Sequence, residues 1–457
     1  MKKTRNIASL IICAMLVTIL AACGNGDKNN EASSSAPASA VSSPESSPES
    51  SPESSPEVAP VDLGGRTIQI AQNWDGTPTD DTAAGKARLD KIAELEKLYN
   101  VKIKYISLPS EEINEKFVTT TLAGEPFADI IRIEYTKALP AALNGQLTPM
   151  SEFASPTSDI NNANKLLVKA PPIAGVEYGF DGVGNNAVMM HYNRDLFKKL
   201  GLPDPHELYN NGEWTWDKFL EIAKAATKDT DNDGKIDVWG FSGWAAKAAR
   251  DFAASNGAKI ADDATGTEGL TNPATIEALE FVNKLYNVDN VVKIKTGKKS
   301  NWEEQDTFKD GDVAMFITAD WQMWELPFDF GLVPIPMGPK GSKDYTYALE
   351  GHGLFIPKGV KNPDVVFHIY EEMQNIPAYE EYPSQNYLEE RYKHEEDIQM
   401  LREHIVGTGL LTLDAAYPDY PWYTAVQEII DNNASVTATV EKYKQQAQAS
   451  MDSINKK

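Results

Sequence analysis

Polar and apolar positions change period along the chain in a way that spells out alternating strands and helices. RTIQIA at 66–71 alternates with period two, which predicts a strand. Over 87–99 the apolar residues Leu89, Ile92, Ala93 and Leu95 recur at helical spacing. VKIKYI at 101–106 predicts a second strand. Ser110 is placed to cap a helix reaching Leu122, and ADIIRI at 128–133 predicts a third strand. The same grammar returns later with different lengths. It predicts a helix over 215–226, a short strand over 238–241 and a helix from Pro273 to Tyr286. Strands follow at 313–317 and 330–333, then a helix opened by Pro363 with Val366, Ile369, Tyr370 and Met373 on one face. Beyond Leu388 the pattern is mainly helical and charged. Strand–helix alternation of this kind predicts an α/β protein with largely parallel sheets covered by helices on both faces.

The N-terminus follows neither period. Lys2, Lys3 and Arg5 precede an apolar run from Ile7 to Ala22, too short for an ordinary membrane span and placed as a signal peptide, 1–22. Leu20-Ala21-Ala22-Cys23 resembles a bacterial lipobox, which implies a diacylated Cys23 and a membrane tie through lipid. The alternative is a plain secretory peptide with a chance cysteine. Residues 23–60 hold four SSPE units and almost nothing apolar, so they predict a disordered tether. In polyproline II, its roughly 37 residues would reach on the order of 100 Å.

Composition narrows the partners. Cys13 and Cys23 are the only cysteines, so the exported body has no disulfide, thiolate nucleophile or cysteine metal site. The net charge of −24 becomes −27 once Lys2, Lys3 and Arg5 leave, and no basic patch interrupts it. Nucleic acid is therefore not an expected partner. A body of this length suggests two domains, and the chain is expected to act as a monomer.

Three stretches resemble one family. They are HYNRDLFKKLGLPDP (191–205) with GEWTWDKFLEIAKAAT (212–227), FKDGDVAMFITADWQMW (308–324), and FDFGLVPIPMGPKG (328–341) with EGHGLFIPKGVKNPDVVFHIYEEM (350–373). In order and spacing they look like a carbohydrate-type extracellular solute-binding protein, the receptor lipoprotein of an ABC importer in a Gram-positive bacterium. The resemblance implies a two-lobed clamshell of the periplasmic-binding-protein class II. Ligand would sit in the cleft, and hinge closure would present the loaded form to the transmembrane permease subunits. It also implies the division of the body: 61–187 and 346–376 in the first lobe, 188–345 and 377–457 in the second. The chain would cross near Ala187–Met190 and return near Thr346–Ala348.

One polar stretch calls for separate treatment. KDTDNDGKIDVWGF (228–241) sets Asp229, Asp231, Asp233, the Lys235 carbonyl and Asp237 at calcium-loop positions, with Gly234 at the turn. The bidentate Glu of a calcium sensor is missing, since Gly240 stands there, and a strand rather than a second helix follows. The expectation is structural Ca2+ at the loop; the alternative is a solvated turn.

Sugars present C–H faces and hydroxyl edges, which aromatic rings, carboxylates and amides match, and nine tryptophans supply the rings. In α/β sheets the ligand lies beyond the carboxyl ends of strands. That rule singles out Trp74 after the first strand, and Arg132, Glu134 and Tyr135 at the third. It adds Trp244, Asp320 with Trp321, and Glu350 with His352 near the return crossing. The family resemblance adds Tyr178 and puts most weight on Trp321. Trp216 and Trp239 are assigned to packing, while Trp302, Trp324 and Trp422 stay open. No GxSxG, HExxH or P-loop motif occurs, so no enzyme is expected. The open alternatives are a surface carbohydrate-active enzyme or a ligand-sensing accessory of a membrane kinase.

Overall fold

The computed structural model describes residues 60–152, 172–180, 188–319, 323, 326–349, 351–376, 388–405 and 409–455, all within one compact unit spanning 55–457. Cys23, the SSPE tether, Asp320, Trp321, Trp324 and Glu350 lie outside the described residues, as does the side chain of Trp302.

The first lobe is built on a five-stranded sheet. Its order is Val101–Ser107, Arg66–Gln72, Ile130–Glu134, His352–Phe355, Gly179–Phe180. The first three strands are mutually parallel, in register Ile68 with Ile103 and Ile70 with Ile130. His352–Phe355 runs against its neighbours and sets His352 opposite Glu134. Period-two alternation supplies both faces. Ile68, Ile70 and Ile130 pack under the helices Ala83–Leu98 and Pro363–Gln374, through Leu95, Tyr99, Val366 and Ile369. Ala71, Ile131 and Ile133 face the other way, toward Ile113 and Phe117 of the helix Ser110–Leu122.

The second lobe carries the sheet Phe330–Val333, Val188–Asn193, Val313–Ala319, Trp239–Ser242. Val188–Asn193 is antiparallel to both neighbours, and the last pair is parallel. So each sheet is mostly parallel with a single reversed strand. Helices Trp216–Ala226, Ala245–Ser255 and Pro273–Asn283 enclose an aromatic core. Trp216 stacks on Phe281 at 4.6 Å and donates to Ser255 Oγ, and Trp239 is half-buried, so both are packing residues. Trp422 is fully buried and donates to the Ala246 carbonyl, which settles it as core.

Several boundaries differ from the pattern-based reading. The first helix begins at Ala83, where Thr82 Oγ1 accepts from Gly85 N; the AAGK segment has no apolar period to announce it. Ser110 is inside its helix, not a cap, because Pro109 takes the extended N-cap conformation. The helix from Pro273 ends at Asn283 and widens into a π-helical turn, Lys284–Val288.

A two-stranded parallel ribbon, Tyr347–Leu349 with Gly409–Leu411, leads toward the reversed strand of the first sheet. It is pinned to the second lobe, because Ala348 N donates to Asp251 Oδ1 on the helix Ala245–Ser255.

Candidate functional site

Strand Ile130–Glu134 runs straight into the helix Tyr135–Leu143, with Glu134 as its N-cap residue. That junction and the reversed strand beside it form one wall of a cavity of about 300 Å³. Glu134, Tyr135, Thr136 and His352 come from the first lobe. Arg250, Thr412, Asp414 and Tyr423 come from helices and connections packed on the second.

The first-lobe wall is only partly satisfied. Glu134 Oε2 accepts from Thr136 Oγ1 at 3.1 Å, while His352 Nε2 lies 3.8 Å from Glu134 Oε1, too far for a hydrogen bond. His352 Nδ1 has no partner. Burial, with the Arg132 charge nearby, lowers the His352 pKa to about 4, so the ring is neutral at physiological pH. Tyr135 is almost wholly enclosed, its hydroxyl has no partner, and burial pushes its pKa up. Its ring meets Phe355 edge-on and lies against Gly351, where an added Cβ would come within 3.4 Å of Tyr135 Cδ2.

The opposite wall is a finished polar unit. Arg250 emerges from an alanine-rich helix and is buried against Asp414, with Nη2 to Oδ2 at 2.7 Å and Nε to Oδ1 at 3.2 Å. Its Nη1 donates to the Tyr423 hydroxyl at 3.3 Å. The guanidinium also lies 4.9 Å from the Tyr423 ring centre, and Trp244 stacks on Tyr423 at 5.3 Å. Trp244 is half-buried, and its indole N–H donates to the Ser300 carbonyl.

The residues singled out from sequence therefore separate. Glu134, Tyr135 and His352 line the cavity. Trp244 stands behind Tyr423, which lines it. Trp74 is 44% exposed beyond the first strand, and the Arg132 guanidinium sits 4.7 Å from its ring centre while bonding Asn73 Oδ1; neither residue lines the cavity. Tyr178 packs half-buried next to the short strand at the sheet edge and does not line it either. Arg250, Asp414, Thr412 and Tyr423 were not singled out. A lone arginine on the buried side of AAKAARDFAAS and the aromatic run YPDYPWY were the available signals.

In the aspartate loop, carboxylate oxygens of Asp229, Asp231 and Asp237 lie within 4.8 Å of one another. Asp229 accepts from the Asn232 and Gly234 amides, and Asp237 accepts from Thr230, which lowers its pKa. Asp233 is not in that group. It accepts from Lys235 N and lies 3.5 Å from Lys235 Nζ. A second acidic group, His206 with Glu396 and Asp397, is already bridged by the Arg194 guanidinium.

The chain matches the model of the bacterial extracellular solute-binding proteins over residues 79–371. It belongs to that family. Solved structures of the same fold include the maltose/maltodextrin-binding domain of Bdellovibrio bacteriovorus bound to maltotriose. That structure is 20% identical over 86% of this chain and 100% of its own, with a TM-score of 0.55. An ABC substrate-binding protein of Listeria monocytogenes in complex with cycloalternan is 19% identical over 86% and 98%, with a TM-score of 0.54. UgpB of Mycobacterium tuberculosis in complex with glycerophosphocholine is 18% identical over 85% and 98%, with a TM-score of 0.57. A Brucella abortus (strain 2308) protein provisionally named a binding protein is 26% identical over 190 residues. That match takes in 38% of this chain and 41% of the relative, so the chain spans less than half of the curated relative. Among the described residues of this solute-binding protein, no helix is long and apolar enough to cross a membrane.

Proposed function

We propose that this solute-binding protein captures a sugar or oligosaccharide between its lobes and delivers it to the permease of an ABC importer. The observation that carries the reading is the cavity between Glu134, Tyr135 and His352 on one lobe and Arg250, Asp414 and Tyr423 on the other. A hydroxyl both donates and accepts, which suits a wall holding an exposed carboxylate and a neutral imidazole. Bound maltotriose and cycloalternan in structures of the same fold support that ligand class. In this reading Asp320, Trp321 and Glu350 complete the site at strand ends, and Trp74 with Arg132 forms its rim. Cys23 carries the lipid that holds the monomeric body on the outer face of the cell membrane. Asp229, Asp231 and Asp237 hold a structural Ca2+, with Asp233 and the Lys235 carbonyl as further ligands. The protein binds without turnover. Thermal shift against a panel of neutral oligosaccharides tests the function: a ligand at 100 times its Kd raises stability by about 2.7 kcal/mol. Chromatography after long incubation should return the sugar intact. A shortened product would point to an enzyme, and a flat panel would remove the sugar reading.

A further inference from the structure

We infer that the cleft selects uncharged, hydroxyl-rich ligands and rejects anionic ones such as uronates and phosphodiesters. The inference rests on the sugar-binding reading above. Among the described residues lining the cavity, Arg250 is the only arginine or lysine, and it is already committed. Two of its nitrogens face Asp414 and a third faces the Tyr423 hydroxyl. An incoming carboxylate would have to displace Asp414 from a buried contact, at a large desolvation cost. The remaining titratable lining groups give an anion nothing better. Glu134 is a second carboxylate on the opposite wall, and His352 carries no charge at neutral pH. Two nearby cations stand outside the cavity. Arg132 lies over Trp74 and bonds Asn73, and Lys247 lies 3.5 Å from Asp251. What the cavity does offer, among its described residues, is an acceptor for ligand hydroxyls and no free cation for an anion. The Tyr135 hydroxyl is buried and unpartnered, and His352 Nδ1 is unpartnered. Both atoms are closed off from solvent, so a ligand hydroxyl is met instead by the Glu134 carboxylate, whose side chain is 43% exposed.

Calorimetry on the full mature chain decides this, with maltotriose, mannotriose, cellotriose and xylotriose as neutral probes. Trigalacturonate and glycerophosphoglycerol, an anionic phosphodiester, are the anionic probes. The expected result is binding of at least one neutral trisaccharide, with both anionic probes at least tenfold weaker. An anionic probe that binds as tightly as the best neutral one overturns the charge selection and, for trigalacturonate, leaves sugar binding standing. Failure of all six probes overturns both. Two variants move the ratio of anionic to neutral affinity. Glu134→Gln removes the uncompensated carboxylate and should raise it at least tenfold, and Asp414→Asn, which releases Arg250, should act in the same direction. If Asp414→Asn does not fold, Glu134→Gln decides alone, since its side chain is 43% exposed. An unchanged ratio in Glu134→Gln overturns the inference.

Discussion

Replacing Arg250 by methionine separates two jobs that one side chain performs. In the folded protein its guanidinium and the Asp414 carboxylate are 2% and 3% exposed, and they meet at 2.7 Å. Removing the cation leaves a buried carboxylate with no counter-charge. Breaking one partner of such a pair costs about 3–5 kcal/mol, far more than the 0–1 kcal/mol of a surface pair. Arg250→Met should therefore lower the ligand-free denaturation midpoint sharply. Replacing both partners by apolar residues of similar volume is often neutral or stabilising. The double variant Arg250→Met/Asp414→Leu should recover most of the loss. Binding should behave differently. Tyr423 loses its hydrogen bond from Arg250 and the cavity loses both polar groups, so the double variant should regain stability without regaining affinity. Denaturant titration of the empty protein, paired with calorimetry, reads both quantities. A single variant as stable as the parent would show that the pair is not a buried unit. A double variant binding normally would show that Arg250 serves only the fold.

Acid should destabilise the protein beginning near neutrality. The pKa of His352 is lowered to about 4 and that of His191 to about 3, so each stays neutral in the folded state while the unfolded chain takes up a proton near 6.5. Stability is thus whole above about pH 6.5 and falls toward pH 4, by up to about 2.7 kcal/mol per pH unit for the two together; His352→Asn should roughly halve that slope if the two histidines dominate it. Chelation with EDTA should lower the melting temperature, Asp231→Ala should abolish that sensitivity, and ligand affinity should barely change; an EDTA-insensitive melt leaves a solvated turn. Trp321→Ala should weaken sugar binding about fifty-fold, from on the order of 100 Å² of stacking lost, or about 2.5 kcal/mol. A large drop in the ligand-free melt with normal binding would make Trp321 a core residue instead.

The sheets were legible because period two is local. RTIQIA and ADIIRI carry their two faces in their own alternation, and Ile70 and Ile131 land on opposite sides of one sheet. Half of the cavity was legible for the same reason. Glu134, Tyr135 and His352 sit at strand ends, where short-range pattern and sheet geometry together place them. The other half was not. Arg250 meets Asp414 across 164 residues of chain, and nothing in an alanine-rich helix says which distant carboxylate will neutralise it. Tyr423 comes from the C-terminal region, which reads as charged helix, and its contacts with Arg250 and Trp244 are long-range. Trp74 follows a strand end as the rule expects, and its ring is paired with Arg132 beyond the residues that line the cavity.

The reversed strand of the first sheet also sets an order of assembly. The first sheet takes its fourth strand, His352–Phe355, from chain made long after Ile130–Glu134, with the whole second sheet encoded in between. A chain emerging from N to C terminus can pair Arg66–Gln72 with Val101–Ser107 early. It cannot complete that sheet until more than 200 further residues have appeared, by which time Val188–Val333 is available to fold. The first lobe must therefore wait for the second sheet, while the helices Trp422–Asn432 and Val436–Asn455 join the second lobe later still. A stop anywhere before residue 352 leaves the Ile130–Glu134 edge bare, an open strand edge inviting intermolecular pairing. Cutting the gene at a lobe boundary, or fusing one lobe alone to a reporter, should give aggregates.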